Sequence, residues 1–334
     1  MRTVRKPGTP LLRTALGWAA LAVACSPAAA QQPWQPVRNV EIIVNSGAGG
    51  AADRQGRAAQ RYLQTFPGLP SVTVVNKPGG GGTVALALIN ERAGDGHLLG
   101  ILSTGLVTNR IVGLSTPGYE HVTPLNILLR EYVVAWTHAG SAITSAQDLI
   151  ARLKRDPAAV SFGFATAPGN QNHIVIAMIA RAAGVDAKAV KTVIYASGGQ
   201  GITSALGGHV DVWVGTAGGT LPHVQAGKVR VLGISSEQRQ QGVLATGPTF
   251  REQNIDATYF AWRGFLGPRG LTPAQVAYWE QAFAKIIADE TWKETLERNA
   301  WVTDSKGSAE TRSHLEREHR LLSKILADLG LVKK

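Results

Sequence analysis

Glu41-Ile-Ile-Val-Asn-Ser-Gly-Ala-Gly-Gly-Ala-Ala-Asp53 reads as a buried strand, a glycine loop and the opening of a helix. Such a junction brings free backbone N–H groups and the positive end of a helix dipole to one point, which favours an anion. Gly47, Gly49 and Ala52 also satisfy G-x-G-x-x-G/A, the fingerprint of a dinucleotide-binding turn. The loop therefore has two readings, a dinucleotide site or the anion grip of a binding protein. A dinucleotide site needs an acidic residue about twenty positions on, at the end of the second strand, to hold the ribose hydroxyls. That strand, Val72-Thr-Val-Val75, ends instead in Asn76 and Lys77. Asp53 falls in the first helical turn, where a negative charge suits the dipole, and it can pair with Arg57 four residues on. Asp53 is thus scaffold, and an anion belongs on the backbone of Ala48, Gly49, Gly50 and Ala51.

The start of the chain bears on where it works. Arg2, Arg5, Lys6 and Arg13 precede the short apolar run Leu16–Ala24, and Ala28-Ala29-Ala30 follows. This is the pattern of a secretory signal peptide over residues 1–30, cleaved after Ala30, with a run too short to span a membrane. Secretion also removes the protein from the cytosolic cofactor pools. The single cysteine, Cys25, lies within the signal, so a mature chain has no thiol for disulfides, nucleophilic catalysis or metal ligation. Ala22-Val23-Ala24 lacks the leucine usual before a lipid-anchor cysteine, so anchoring at Cys25 is not expected. No later apolar stretch reaches the roughly eighteen residues of a membrane span. The formal charge is +11, of which the four basic residues of the signal supply 4, leaving +7. A basic surface draws anions. No basic run with interleaved aromatics points to nucleic acid. About 300 mature residues suit two domains or one large α/β domain.

Short apolar strands alternate with amphipathic helices along the chain, which argues for a parallel or mixed sheet covered by helices. Strands are expected at Val40–Asn45, Ser71–Asn76, Leu98–Ser103, Val160–Ala165, Thr192–Tyr195, His209–Gly215 and Lys228–Ser235, with an apolar run over Leu125–Trp136. Toward the C-terminus, Pro273–Glu297 and Ala309–Leu329 have helical periodicity and read as a packing layer.

Three more loops join a strand to a helix. Lys77-Pro-Gly-Gly-Gly-Gly82 lacks P-loop order, because its lysine precedes the glycines, and reads as a tight turn that lets the next helix pack close. Pro168-Gly169-Asn170-Gln171-Asn172-His173 gathers amides at a helix N-terminus. One asparagine suffices as an N-cap, so the further amides are candidate ligand donors. His173 is either a structural donor or a ligand donor. In Tyr195-Ala-Ser197-Gly198-Gly199-Gln200, Ser197 reads as an N-cap or as part of a carboxylate grip made by the Gly198 and Gly199 N–H groups. No G-x-S-x-G elbow, H-x-x-x-H or H-E-x-x-H occurs. The chain offers anion grips without a nucleophile–base set, so neither an enzyme, a cofactor nor a metal is expected.

In order along the chain stand Gly49-Gly50-x-x-Asp53-x-x-x-Arg57, Val74-Val-Asn-Lys-Pro-Gly-Gly-Gly-Gly82, Asp95-Gly96, Gly169 with His173, Tyr195 with Gly198-Gly199, Leu206-Gly-Gly-His-Val-Asp211, Gly227-Lys-Val-Arg230, Pro248-Thr-Phe-Arg-Glu252 and Trp262-Arg-Gly-Phe-Leu-Gly-Pro268. In this series the chain resembles the Bug family of extracytoplasmic solute receptors, which includes the binding proteins of tripartite tricarboxylate transporters. The resemblance implies an α/β fold: a two-domain periplasmic binding protein of the Venus-flytrap type with a ligand cleft between domains. It implies one domain from 31–125 with 232–334 and another from 126–231. It implies a small carboxylate ligand, a dicarboxylate, tricarboxylate or aromatic carboxylate, held at one end by loop Ser46–Ala51, partly through water, and at the other by loops 168–173 and 195–199. It further implies a monomer whose partner is a membrane permease; a ligand sensor for a signalling partner uses the same closed surface. A secreted nucleotide- or phosphate-using enzyme is the rival from another class. Asn45 and Ser46 stand where the family often has proline and an aromatic residue, and the 166–172 loop is unusually rich in amides. Both departures touch the cleft and bear on ligand identity rather than on the fold.

Overall fold

The strand that opens the motif, β1 (Val40–Val44), runs parallel between β2 (Val72–Asn76) and β3 (Leu98–Ser103) in a computed structural model of the chain. The chain divides into a unit Met1–Pro33 and a unit Trp34–Lys334. The structure describes residues 1–4, 8, 34–114, 117–328 and 330–332. The expected signal peptide cleavage and Cys25 lie outside the described residues.

Each of the first three strands feeds a helix: α1 (Ala51–Leu63), α2 (Thr83–Glu91) and α3 (Gly105–Ile111). A methyl group at Gly56 of α1 would lie 2.9 Å from Val44 Cγ2, so only glycine lets α1 settle this close to β1. The chain then enters β4 (Val122–His138), 17 residues long. The second lobe follows with α4 (Ala146–Arg155), β5 (Ser161–Ala165), α5 (Gln171–Ala182), β6 (Lys191–Tyr195), α6 (Gly198–Leu206), β7 (Val212–Thr216), α7 (Ala217–Gln225) and β8 (Val229–Ile234). The return to the first lobe brings β9 (Phe260–Pro268), α8 (Pro273–Ala288), α9 (Glu290–Arg298), β10 (Trp301–Lys306) and α10 (Ser308–Asp328). The sheet order is β2-β1-β3-β9-β4-β7-β5-β6, with β10 and β8 also on β4. The alternation of strand and helix is thus realised as a mixed α/β sheet in two lobes. Among the described residues no helix is long and apolar enough to cross a membrane.

Three features depart from the sequence reading. The 260–268 motif is a strand, antiparallel to β3 and β4 and buried along nearly its whole length. β10 also went unread. The helix expected over Pro273–Glu297 breaks at Asp289, whose carboxylate accepts from Thr291 N–H and starts α9 afresh. The last expected helix is described over Ser308–Asp328, and Leu329 lies outside the described residues.

One core cluster lies under α1, α8 and α9, around Trp279, Phe283 and Trp292. Another surrounds Trp136 and Trp213 in the second lobe. The largest runs through both lobes, from Leu98 and Leu102 to Phe162 and Phe164.

The lobes join where β4 changes partners. It pairs with β9 as far as Tyr132, then with β7 and β8 from Val133 onward. The chain comes back at Ser235 and at Tyr259–Phe260. Ser235, fully buried, fastens all three segments. Its N–H donates to the Val133 carbonyl at 2.9 Å and its carbonyl accepts from Tyr259 N–H at 3.0 Å. Its hydroxyl accepts from Val133 N–H at 2.9 Å and donates to the Tyr259 carbonyl. Ser235→Ala leaves that N–H and that carbonyl buried without partners. We expect a loss of about 2 kcal/mol, seen as a lower urea midpoint at unchanged slope.

Candidate functional site

Between the lobes lies a cavity of about 70 Å³. At roughly 10–15 Å³ for each water it has room for a few waters or one short organic ion. The first turns of four longer helices line it: Gly50, Ala51 and Ala52 at α1, Asn170, Gln171 and Asn172 at α5, Gly198 at α6, Thr216 and Gly219 at α7. Gly105 of the short α3 joins them. Asn45, Ser46, Gly81, Ser103, Asn109, Trp213 and Arg263 also contribute to the wall. The N-terminal partial charges of several helices therefore meet in one small space, which makes it electropositive before any side chain is counted.

The opening loop divides its N–H groups. Gly49 N–H donates to Asp53 Oδ2 at 3.0 Å, and Gly50 N–H to the Gly47 carbonyl at 3.3 Å. Asp53 is held by Arg57 Nε at 3.0 Å and by Asn76 Nδ2 at 2.9 Å, and Asn76 also donates to the Ser46 carbonyl. These donors hold the Asp53 carboxyl below its usual range although burial, the largest single influence, pushes the other way. The asparagine found where a dinucleotide site needs an acid is therefore a brace for the loop. Helix α1 has no side-chain cap, so the N–H groups of Ala51 and Ala52 have no protein partner among the described residues. Ala48 and Gly49 do not line the cavity.

In the second lobe, side chains cap the helices. Asn170 Oδ1 accepts from the N–H groups of Asn172 and His173, and its Nδ2 donates to the Ala165 carbonyl and Thr166 Oγ1. That consumes its amide. Asn172 differs: it is buried, lines the cavity, and its amide makes no hydrogen bond to the described protein. Thr166 holds φ 81° while its N–H bonds the Tyr195 carbonyl, a strained backbone in the cavity wall. Ser197 caps α6 by accepting from Gln200 N–H, which leaves the N–H groups of Gly198 and Gly199 without partners among the described residues. Tyr195 turns away, its hydroxyl bonded to Ser204 Oγ at 2.7 Å. Gly169, His173, Tyr195, Ser197 and Gly199 are not part of the cavity wall. His173 Nδ1 accepts from Gly169 N–H at 2.9 Å and its ring stacks on Phe164, so it braces the loop from behind.

The lobes touch at two places beside the cavity. A methyl group on Gly47 would stand 3.2 Å from Ser197 Cβ, and one on Gly81 only 2.5 Å from the Ala167 methyl. The glycine run at 79–82 is thus where one lobe meets the other, a role its reading as a tight turn only half covers.

Two arginines escaped the sequence reading. Arg54 and Arg263 line the cavity at its hinge end, on either side of Glu131, and no acidic residue among the described ones lines it. Arg263 Nε donates to Glu131 Oε2 at 3.3 Å. Arg54 donates to Glu131 Oε1 at 3.5 Å, to Thr216 Oγ1 at 3.3 Å and to the Gly49 carbonyl at 3.2 Å. Glu131, fully buried, also accepts from Gly218 N–H at 3.1 Å and so caps α7. Burial lowers the Arg263 guanidinium from its ordinary value, Glu131 opposes this and Arg54 adds to it. An arginine begins high enough to stay charged. Among the described residues no cluster of three or more His, Cys, Asp or Glu is placed to hold a metal ion.

The chain matches the family model described as the tripartite tricarboxylate transporter family receptor over residues 57–330. A Cupriavidus necator protein, the UPF0065 protein in the gbd 5′ region, is 26% identical over 323 residues, covering 94% of each chain. The periplasmic binding protein BugD superposes with a TM-score of 0.81 at 20% identity, over 90% of this chain and 100% of that one. Rpa4515 of R. palustris, solved with adipate, gives a TM-score of 0.82 at 22% identity, over 89% of this chain and 99% of that one. At these identities both structures speak for the fold.

Burial alone pulls the His173 imidazole down to about 4. Below its ordinary value near 6.5 the unfolded chain takes a proton that the folded ring refuses. Stability contributed by the neutral ring is therefore complete above pH 6.5, falls as the pH drops toward 4, and levels off below that. The loss is on the order of 3 kcal/mol. Urea unfolding at a series of pH values checks this. His173→Asn, which keeps an acceptor for Gly169 N–H, should lose that part of the slope.

Proposed function

The chain belongs to the tripartite tricarboxylate transporter receptor family, and from that premise we propose that it is a periplasmic receptor. It captures a small carboxylate between its lobes and presents the closed form to a membrane permease. The observation that carries this reading is the meeting of helix N-termini from both lobes on one small cavity, with the buried amide of Asn172 unpaired in its wall. Backbone N–H groups of Ala51 and Ala52 from one lobe, and of Gly198 from the other, suit carboxylate oxygens, and binding both sides favours closure. Adipate in a structure of the same fold agrees with this ligand class. The basic character of residues 31–334 would help draw an anion in. We read the protein as a monomer delivered by an N-terminal signal peptide, with domains that meet near 125/126 and 231/232, and as a carrier of its ligand rather than a catalyst. Of the residues named from sequence, Ser46, Gly50, Ala51, Asn170, Gln171, Asn172 and Gly198 form the contact set of this proposal, with Ala48, Gly49, Gly169, His173, Tyr195, Ser197 and Gly199 shaping the loops behind it.

A thermal-shift screen tests the reading, because a ligand that binds only the folded state raises the melting temperature. Short carboxylates should raise it by several degrees at millimolar concentration, and NAD or ATP should not. Stabilisation by nucleotides alone would overturn the proposal. Asn172→Ala should weaken binding of the best carboxylate roughly tenfold, the worth of one hydrogen bond to a charged group, with the ligand-free melting temperature nearly unchanged. A lower ligand-free melting temperature with intact affinity would make Asn172 purely structural.

A further inference from the structure

We propose that Arg54 and Arg263 form a second anion subsite at the hinge end of the cavity, so that this receptor selects dianionic acids over monoanionic ones of the same length. The inference rests on the receptor reading above and adds to it a pair of residues that decide the substrate class.

Charge balance is the first ground. Two guanidinium groups share one carboxylate, Glu131, which stands behind the wall, and no acidic residue among the described ones lines the cavity. The group therefore carries one uncompensated positive charge, with Arg263 4% exposed, Glu131 0% and the Arg54 side chain 24%. An isolated buried charge is costly unless something neutralises it. A carboxylate on the ligand would do so.

Unused donors are the second. Arg263 makes a single hydrogen bond to the described protein, through Nε, and its two terminal nitrogens make none. Arg54 Nε is buried without a partner. A planar guanidinium held by one edge presents its other edge for two-point recognition of a carboxylate.

Position is the third. Arg54 comes from α1 in the first lobe and bonds Thr216 at the head of α7 in the second. Arg263 comes from β9, and Glu131 from β4 one residue before Tyr132, where the strand leaves the first half-sheet. The pair faces a cavity whose other polar groups are neutral amides, hydroxyls and backbone N–H groups. One carboxylate on the helix N-termini and another on the arginines uses both poles.

Calorimetric titration of the full chain with glutarate and with pentanoate, which has the same carbon count and one acid group, tests this. The wild type should bind glutarate roughly 10- to 100-fold more tightly, as charge-assisted hydrogen bonds imply. Arg54→Gln leaves Glu131 and Arg263 as a balanced pair and should fold. It should weaken glutarate by a similar factor and leave pentanoate within about threefold, and Arg54→Lys should restore part of the preference. If the wild type binds both equally, or if Arg54→Gln weakens both alike, the subsite is wrong while the receptor reading stands. If neither these nor any other carboxylate binds, both readings fail. Should Arg54→Gln not fold, Arg263→Lys, which keeps the charge but loses the planar fork, replaces it with the same expected loss of preference and the same overturning outcomes.

Discussion

One strand belongs to both halves of the molecule. β4 is paired with β9 and β10 along its first part and with β7 and β8 along its second, so neither half-sheet is complete without it. Any motion of the lobes must bend this strand without breaking its ladders. The bend is confined because Ser235 ties β4 to the two returning segments with both its backbone and its side chain. Glu131 sits just before this point and receives bonds from α1, β9 and α7. Backbone continuity and charge pairing thus converge within a few residues of the crossing.

The cavity shows why a helix N-terminus is only a potential site. α5 spends its first N–H groups on Asn170, and α7 offers one to Glu131. α1 lacks a side-chain cap, and α6 keeps two N–H groups beyond the one that Ser197 satisfies. Even the opening loop gives one of its N–H groups to Asp53. The electropositive character comes from what remains after these internal bonds, together with two arginines.

Local chemistry made much of this legible. Glycine loops before apolar helices and N-cap asparagine and serine are decided by neighbours within a few positions, the missing ribose acid by a fixed spacing along the chain, and the loops they marked do surround the cavity. Arg54 was hidden between Asp53 and Gln55 on a helix where polar residues usually face water. Arg263 was hidden because Gly264 and Gly267 interrupt the periodicity of β9, and its partner Glu131 is far away in sequence. The break at Asp289 was masked because the apolar pattern of α8 and α9 continues across it. His173 left two readings open that only its bond to Gly169 N–H separates.

The close approach of Gly47 to Ser197, and of Gly81 to Ala167, has a kinetic meaning. These contacts join the two lobes and break whenever the lobes part. Substitutions there act on the rate of opening, while substitutions deeper inside act on occupancy at equilibrium. Tempo and affinity are written in different residues, and evolution can adjust one while leaving the other alone.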